Sequence, residues 1–399
     1  MMKKYWKSVV VLSFIIIGLS SYLIHSALLA SELPRFELEH KSGDESLVDS
    51  MSVAGVYIDD KYHNAFDFDG EDTNYRSDST FFEDMIGGYD PVKERLIDEY
   101  RDFMRGAPYL YQNYYDGDDA LVIVEEDWNH RYNQMETDLK VSYLNKETEE
   151  EQKFTIDLED GNYANVIEVQ YVDGEIFVFS DHANSNERVL MEYVYDVESK
   201  QLISEKEILK SEGSNENEVD YSQINKLYES VPYQPMESLI FRAEEVEMEE
   251  FEEGLREVGR EEKLFQYELK TGEITELDLP VEDYGYADRY DGQYIYFEQP
   301  NDENTISIRP YDLEKEEFQE EIEIVQHKIE NENELDQSQH VEQLRPTIYE
   351  VRDQLLYTLE NNSLKVIDVE SGETVYEGEI SSNDGIDMEN VRFDDMRFE

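Results

Sequence analysis

Carboxylates are the most abundant chemically active groups of this chain, and two short clusters of them resemble metal-binding loops. Asp67 to Asp72 places acidic residues at alternate positions, and Tyr115 to Asp119 holds three aspartates around a glycine. A calcium loop of the EF-hand type needs glycine at its sixth position and a bidentate glutamate at its twelfth. Glycine is fourth in the first cluster, and the second cluster is too short. The sequence therefore predicts no metal site, and such clusters are typical of turns.

Catalytic motifs are equally scarce. The seven histidines form no His-x-His or His-Glu-x-x-His pair, and the absence of cysteine excludes disulfides, thiolate metal ligands and thiol nucleophiles. The chain contains no Gly-x-Ser-x-Gly elbow, phosphate-binding loop or dinucleotide fingerprint. We predict no catalytic residue and no cofactor from local motifs.

Six residues are candidate contacts for a ligand or partner. Aromatic side chains can stack on sugars or peptides, and we expect polar residues that follow an apolar strand to lie in loops that converge at one end of the fold. Burial in the core is the alternative for the tyrosines, and an ordinary surface loop is the alternative for the others. The candidates are Tyr114, Tyr115, Trp128, His130, Asp181 and His182.

An aspartate-containing turn followed by an apolar run recurs along the chain. The turns hold Asp116, Asp173, Asp291 and Asp353, at separations of 57, 118 and 62 residues. The missing member falls near position 233, just before the apolar segment Glu237 to Phe241. An even period of this length predicts a repeat architecture, with the turn opening the first strand of each unit.

A second element recurs at a constant place in each unit and has the chemistry of a hairpin. A strand ends in a tight polar turn and a return strand follows, which predicts inner strand, second strand, turn and third strand. Ser142 to Lys146 is a weaker fifth copy. The four clear copies are Tyr195–Lys200, Tyr267–Gly272, Tyr311–Glu316 and Ile367–Gly372.

In these elements the chain resembles the β-propeller superfamily of bacterial extracytoplasmic proteins, over about residues 110 to 399. It lacks the Trp-Asp and Gly-His signatures of the WD40 class, so the resemblance names no subfamily. The resemblance implies an all-β fold, a β-propeller of about five to seven blades, in which strands from Val53–Ile58 and Val391–Phe398 complete a blade from both ends. A long β-sandwich or a β-helix is the alternative fold.

The N-terminal segment predicts the compartment. Three lysines among the first seven residues precede the apolar segment Ser8 to Ala30, which is long enough to cross a bilayer as one helix. The positive flank predicts a cytoplasmic N-terminus and an extracytoplasmic remainder. A cleaved signal peptide, which would yield a secreted protein, is the alternative, although Leu28 stands where a small residue is preferred.

The net charge is extreme. The chain carries 98 acidic and 34 basic residues, for a formal charge of -64. Repulsion would oppose every encounter with nucleic acid or an anionic lipid surface, so both are poor partners, and we predict no nucleic-acid partner. Because the acidic residues are spread along the chain, they indicate a surface adapted to high salt or high pH, as in a halophilic or alkaliphilic bacterium. A cation store or a surface for a basic partner is the alternative.

The predicted organisation has four parts. Residues 1–30 form the membrane anchor or signal, 31–50 a stalk, 51–110 an N-terminal segment and 111–399 the repeat domain. Within the third part, Asp90 to Met104 is predicted to form an amphipathic helix, because proline lies in its first turn and Gly106 follows its end.

Three polar stretches interrupt the predicted blades. Ser211–Asp220 and Lys328–Gln343 have the composition of loops, and Glu244–Lys263 is dominated by glutamate. A charge run of this kind is typical of a solvated face. An insertion that meets a basic partner is the alternative for the last stretch.

The sequence favours a membrane-tethered, extracytoplasmic propeller that binds a protein, peptide or cell-wall ligand. An envelope hydrolase or lyase, with acid and base carboxylates near a central channel, is one alternative. A sensor or regulatory subunit for a membrane partner, contacted through the predicted helix, is another. Propellers host many functions, so the fold does not decide among them.

Overall fold

A computed structural model of the chain describes most of the residues after the N-terminal segment. The described residues are 33–58, 63–76, 91–108, 110–131, 134–158, 163–184, 187–212, 221–227, 235–251, 254–279, 286–301, 305–325, 327–328, 344–345, 347–383 and 388–398. The predicted membrane segment Ser8–Ala30 and most of the stretch Lys328–Gln343 lie outside these ranges. No helix of the described part is long and apolar enough to cross a bilayer.

Strands make up most of the described chain. One α-helix, α1 (Pro91–Glu99), and three short 3-10 helices accompany them in these ranges. In chain order the strands are β1 (Phe36–Gly43), β2 (Met51–Ile58), β3 (His63–Phe68), β4 (Thr73–Tyr75), β5 (Tyr114–Asp116), β6 (Ala120–Arg131), β7 (Gln134–Asn145), β8 (Glu151–Ile156), β9 (Tyr163–Val172), β10 (Glu175–Asn184), β11 (Glu187–Asp196), β12 (Gln201–Glu212), β13 (Tyr221–Lys226), β14 (Ser238–Phe251), β15 (Gly254–Glu268), β16 (Glu273–Leu277), β17 (Tyr286–Tyr290), β18 (Tyr294–Pro300), β19 (Thr305–Asp312), β20 (Glu317–Phe318), β21 (Ile322–Val325), β22 (His327–Lys328), β23 (Leu344–Arg345), β24 (Ile348–Arg352), β25 (Leu355–Glu360), β26 (Ser363–Asp368), β27 (Thr374–Ser382) and β28 (Val391–Phe398).

Six antiparallel sheets of four or five strands contain all of the described strands except the β22–β23 pair. Sheet I has the order β28-β2-β3-β4, sheet II β5 to β8, sheet III β9 to β12 and sheet IV β13 to β16. Sheet V runs β17 to β20, with β21 also on β19, and sheet VI has the order β24-β25-β26-β27-β1. Successive four-stranded antiparallel meanders are typical of propeller blades, so the fold is propeller-like.

The first and last described strands, β1 and β28, pair with strands that lie far from them in the sequence. β28 pairs with β2, with Val53 opposite Met396, so the strands predicted from Val53–Ile58 and Val391–Phe398 do share a sheet. β1 pairs with β27 and becomes the fifth strand of sheet VI. The predicted stalk therefore contains a strand, and residues 51–75 form a sheet although they lack the sequence repeat.

The four aspartate turns join the first strand to the second strand in sheets II, III, V and VI. The apolar run after each turn is the second strand of its sheet and not the first as predicted, because another strand precedes the turn, such as β9 before Asp173. Asp173 and Gly174 have φ angles of +52° and +91°, the left-handed conformation of a two-residue hairpin, which explains the glycine. The same geometry holds Asp353 and Gln354 at +51° and +66°.

The predicted hairpins lie between the third and fourth strands. In three of them an aspartate at the end of the third strand accepts hydrogen bonds from backbone N–H groups of the turn: Asp196 from Ser199, Asp312 from Glu314 and Lys315, and Asp368 from Ser371. This bonding satisfies turn amides that have no ladder partner, and it is the physical reason for aspartate at this place in the repeat.

Apolar side chains of the first, second and third strands build cores between adjoining sheets. One core contains Val122 and Val141 of sheet II with Val178 of sheet III, and another contains Phe179 of sheet III with Phe241 of sheet IV. Phe179 and Phe241 have ring centroids 5.6 Å apart. Full burial of rings of this size contributes on the order of 2 kcal/mol each, so aromatic residues offset the modest apolar content.

Helix α1 covers a face of sheet II. It ends at Glu99, earlier than the predicted Met104, and a turn-rich segment continues to Gly106. Leu96 is fully buried against Leu121 and Ile123. Arg95 donates to Asp116 at 2.6 Å, which ties the helix to the first aspartate turn.

The chain divides into two compact units. One consists of residues 1–89, 358–366 and 374–398, and its described core includes Phe36 and Phe66, whose ring centroids are 4.7 Å apart. The other consists mainly of residues 90–357 and contains sheets II to V.

Candidate functional site

The second strands of sheets II to V share a change from apolar to polar residues along their length. Each begins with a buried apolar run and ends in polar residues, as in Phe177-Val178-Phe179 followed by Ser180-Asp181-His182. We call the polar segments of β6, β10, β14 and β18 the polar end. Its first members are Glu125 and Glu126, Ser180 to His182, Arg242 to Glu244, and Glu298 and Gln299.

Four of the six predicted contact residues lie at the polar end. Trp128 and His130 belong to the last part of β6, where Trp128 pairs with Thr137, but their side chains lie outside the described set. Asp181 and His182 lie in β10, not in a loop, and each is 8% exposed. The loop expected at 181–182 is wrong because β10 continues to Asn184.

Tyr114 and Tyr115 lie in β5 and are buried. Each is only 3% exposed, and they point into different cores, Tyr114 toward α1 and Tyr115 toward sheet III. Burial raises the pKa of Tyr115 to about 12, with further contributions from Asp119, Asp116 and Asp118. The structure thus gives both tyrosines the core position that the sequence left as the alternative to ligand contact.

Asp181 forms an ion pair within sheet III. Arg188 Nη1 lies 2.6 Å from Asp181 Oδ2, whereas Oδ1 is buried without a hydrogen-bond partner among the described residues. Burial raises the pKa of Asp181, and Arg188 opposes the rise. The pair keeps a buried carboxylate next to a positive charge, which offsets part of the free-energy cost of burying it.

His182 lies on the opposite face of β10 in a buried polar network. Its Nε2 is 2.8 Å from Ser180 Oγ and 3.3 Å from the hydroxyl of Tyr193. Burial lowers the pKa of His182 to about 4, so its imidazole is neutral at pH 7. Ser180 is fully buried, and this arrangement organises the interior of the sheet instead of presenting a nucleophile.

Polar bridges connect neighbouring sheets near the first strands. The backbone N–H of Val166 donates to Glu126 at 2.9 Å, linking sheets II and III. Lys226 pairs with Glu168 between sheets IV and III, and Arg289 donates to Glu350 at 2.7 Å between sheets V and VI. Removing one partner of such a buried ion pair strongly lowers the free energy of unfolding, so these contacts hold the neighbouring sheets in place.

A group of polar side chains connected by ion pairs, a hydrogen bond and a cation–π contact lies where sheets IV and V adjoin. Arg242 donates through Nη1 to the carbonyl of Ala287 at 2.8 Å, and its guanidinium carbon lies 4.0 Å from the ring centroid of Tyr286. Arg242 Nε is 2.7 Å from Glu244, and Arg260 Nη1 is 3.1 Å from the other oxygen of Glu244. Two arginines thus bracket one buried carboxylate.

A second carboxyl group faces Glu244 across the strands. Glu262 of β15 is directly opposite Glu244 of β14, so both side chains project from the same face of sheet IV. The Glu262 Oε1 atom is buried and has no hydrogen-bond partner among the described residues. Burial raises the pKa of Glu262 above its ordinary value of 4.5; Arg242 opposes the rise, Glu244 adds to it and Arg260 opposes it.

We call these side chains the Tyr286 cluster: Arg242, Glu244, Arg260, Glu262 and Tyr286. The Tyr286 residue is 39% exposed, and the Arg260 side chain is 37% exposed, so the cluster reaches solvent. It joins an aromatic ring, two guanidinium groups and an unsatisfied carboxyl oxygen. Its exposed part offers one stacking group, the Tyr286 ring, and hydrogen-bond donors from Arg260, whereas the Glu262 oxygen is buried.

None of these five residues is among the predicted contacts, because the composition of Glu244–Lys263 predicts a solvated run that interrupts a blade. The structure places the run in β14 and β15, the two central strands of sheet IV, with Glu244 and Val246 buried. The available signal was the alternation of Arg242, Glu244 and Val246, which puts the three side chains on one face of a strand.

The acidic clusters that resemble metal loops have structural roles. Asp69 Oδ1 accepts hydrogen bonds from the backbone of Glu71 and Asp72, which closes the turn between β3 and β4. Asp116 pairs with Arg95 and Lys146. The described residues contain no group of three His, Asp or Glu side chains arranged to hold a metal ion.

No family model and no curated protein matches the chain. Among solved structures, a PL25 ulvan lyase is 10% identical with a TM-score of 0.36, covering 90% of this chain and 94% of its own. The β-propeller domain of the trilobed protease from Pyrococcus furiosus is 11% identical with a TM-score of 0.31, covering 85% and 84%. A periplasmic gluconolactonase from Pseudomonas aeruginosa is 10% identical with a TM-score of 0.31, covering 88% and 99%. Scores of this size establish no shared activity.

Proposed function

We propose that this protein is a membrane-tethered, extracytoplasmic binding module that captures a cell-wall ligand at the Tyr286 cluster. The observation that carries the proposal is the part-exposed ring of Tyr286, which lies against the buried guanidinium group of Arg242 and is accompanied in the cluster by the part-exposed Arg260. Binding sites combine an apolar platform with a few converging polar groups in this way. The stacked Arg242 holds the ring in place, so little conformational entropy is lost on binding.

The tether follows from the N-terminal sequence. An apolar segment of bilayer length behind three lysines would anchor the chain and leave the sheets outside, next to the wall. A net charge of -64 would also keep the sheets away from the anionic membrane surface.

Photo-crosslinking tests the proposed site on the full-length protein. A benzophenone amino acid at position 286 keeps an aromatic ring and should capture insoluble cell wall on irradiation. The same group at Ile203, which is 52% exposed on the outer strand β12, is the matched control and should capture none. Equal capture at both positions, or capture at Ile203 alone, contradicts the proposal.

Protease protection tests the tether separately. Protease added to intact protoplasts should digest the chain beyond Ala30, leaving the N-terminal segment. A protected C-terminal region would refute the extracytoplasmic placement, and a mature protein that begins at Ser31 would show a cleaved signal.

One observation supports an envelope hydrolase or lyase as a second candidate function. Glu244 and Glu262 face each other on one sheet, and a carboxyl group with a raised pKa beside a paired carboxylate is the arrangement of a general acid and its partner. Release of soluble fragments from purified wall, abolished by Glu262→Gln, would favour the enzyme. Capture without release favours the binding module.

A further inference from the structure

We infer that the tether is rigid, and that it fixes one end of sheet I close to the outer surface of the membrane. The residues that carry the inference are Leu33 to Phe36, which we call the docked stem. They belong to the same compact unit as sheet I. The inference rests on the proposed tether and adds the surface of the protein that faces the bilayer.

The docked stem is packed against sheet I. Leu33 is 4% exposed and Phe36 is 1% exposed. The Phe36 ring lies against two rings of β3, with its centroid 4.7 Å from that of Phe66 and 6.2 Å from that of Phe68. The Phe36 N–H also donates to Thr73 Oγ1 on β4 at 2.9 Å. Apolar side chains buried to this extent are typical of a core and not of a flexible stalk.

Further hydrogen bonds hold the backbone of the stem from two directions. The hydroxyl of Tyr75 on β4 donates to the carbonyl of Pro34 at 2.8 Å. The N–H of Asn383, just after β27, donates to the carbonyl of Arg35 at 2.9 Å. Release of the stem would break these bonds together and expose Phe36 to water. The stem therefore moves with the sheet and not as a linker.

Very few residues separate the stem from the predicted membrane segment. That segment ends at Ala30, and Leu33 is already buried. A flexible stalk over residues 31–50, as expected from the sequence, would have a root-mean-square reach of about 25 Å. Three residues, by contrast, span at most about 10 Å when fully extended. Docking therefore keeps the stem end of sheet I within about 10 Å of the membrane surface.

The net charge sets the orientation about this point. With a formal charge of -64, the protein is repelled by an anionic membrane over a distance of about 10 Å at 0.1 M ionic strength. The linking residues stop the stem end from retreating, whereas parts of the unit farther along the strands can turn away. Ser42 lies on β1 six residues after Phe36, about 20 Å along the strand. The stem end thus faces the bilayer, and Ser42 is directed away from it.

Fluorescence quenching tests the inference on the full-length protein in anionic lipid nanodiscs. Because the natural chain has no cysteine, one introduced cysteine places a fluorophore at a single position. Asn74→Cys puts the label on β4 beside the stem, and Ser42→Cys is the matched control; both positions are exposed. A lipid with a nitroxide on its headgroup should reduce emission at position 74 about twofold at 0.1 M salt and leave position 42 nearly unchanged. Position 74 is distant from the anchor in sequence, so its quenching depends on docking.

A flexible glycine–serine linker inserted after Ala30 separates the effect of docking from that of the tether. It should lower quenching at position 74 to the level at position 42 while the protein stays in the nanodisc. Equal quenching at the two positions without the linker, or quenching at position 74 that the linker does not change, overturns the inference. A natural protein that begins at Ser31 would instead refute the tether itself. Wall capture at Tyr286 involves none of these residues, so the proposed binding site stands or falls separately.

Discussion

Arg242 and Tyr286 join two neighbouring sheets through the face of an aromatic ring, with 4.0 Å between the guanidinium carbon and the ring centroid. Arg242 is 7% exposed, whereas Tyr286 is 39% exposed, so a buried charge supports a part-exposed ring. The same arginine pairs with Glu244 and bonds to the backbone of sheet V. The packing between the two sheets and the position of the part-exposed ring therefore depend on one side chain.

Removing Arg242 should destabilise the protein strongly. Arg242→Met keeps the apolar stem but leaves Glu244 buried with Arg260 as its remaining pair, and loss of one partner in such a pair costs about 3–5 kcal/mol. Urea unfolding measures the change. The control is Lys263→Met on β15, whose exposed pair with Glu261 should be worth less than about 1 kcal/mol. Equal effects of the two substitutions would show that the Arg242 pair carries no special weight.

Glu262 should make the protein less stable as pH rises. Its pKa is raised in the folded state, so the folded protein holds the proton above the ordinary value of 4.5, and stability falls as pH increases through the folded pKa. Glu262→Gln cannot titrate, and its stability relative to the natural protein should improve between pH 4.5 and 8. Urea unfolding across this range tests the sign. A constant difference between the two proteins would show that burial does not shift this carboxyl group.

His182 should make the protein more stable as pH rises, which is the opposite of the effect of Glu262. Its pKa falls from the ordinary 6.5 to about 4, so the unfolded chain binds the proton first and stability decreases as pH falls through this window. The loss amounts to about 3 kcal/mol. His182→Gln keeps a polar side chain beside Ser180 and cannot titrate. The free energy of unfolding of the variant, relative to that of the natural protein, should therefore increase as pH falls. A gap independent of pH would mean that the imidazole titrates normally.

Salt should stabilise the protein. With a net charge of -64, repulsion among carboxylates is strong in dilute buffer and screened in molar salt. The melting temperature should therefore rise between 0.01 M and 1 M sodium chloride. Magnesium or calcium chloride at matched ionic strength should have the same effect, and a larger rise would indicate specific cation sites.

The repeat was readable from sequence because its turns have strict chemical needs. Asp173-Gly174 requires left-handed backbone, and Asp196 and Asp368 close hairpins with their side chains. The first strands were not predicted because their pattern of apolar and polar residues is less regular. In β9, for example, Glu168 and Gln170 are buried at positions where strand alternation predicts apolar residues. Tertiary pairing decides such positions, since Lys226 from another sheet neutralises Glu168.

The candidate site was only partly predictable, for the same reason. Asp181 and His182 could be predicted as members of the polar end, because the change from apolar to polar residues occurs along a single strand and can be read from the sequence. Cross-strand partners are not visible in this way: Glu244 and Glu262 are 18 positions apart in sequence but directly opposite in the sheet. Deletion of Glu244–Lys263, which the solvated interpretation expected to be harmless, should abolish folding because it removes most of β14 and β15.

The most direct test of the account is the equilibrium affinity of the full-length protein for purified insoluble cell wall, compared among three variants of matched stability. Tyr286→Ala should weaken binding about tenfold, equivalent to about 1.4 kcal/mol, while Tyr286→Phe and the exposed control Ile203→Ala should bind within about twofold of the natural protein. Unchanged affinity of Tyr286→Ala, or an equal loss in Ile203→Ala, would contradict the assignment of the Tyr286 cluster as the binding site.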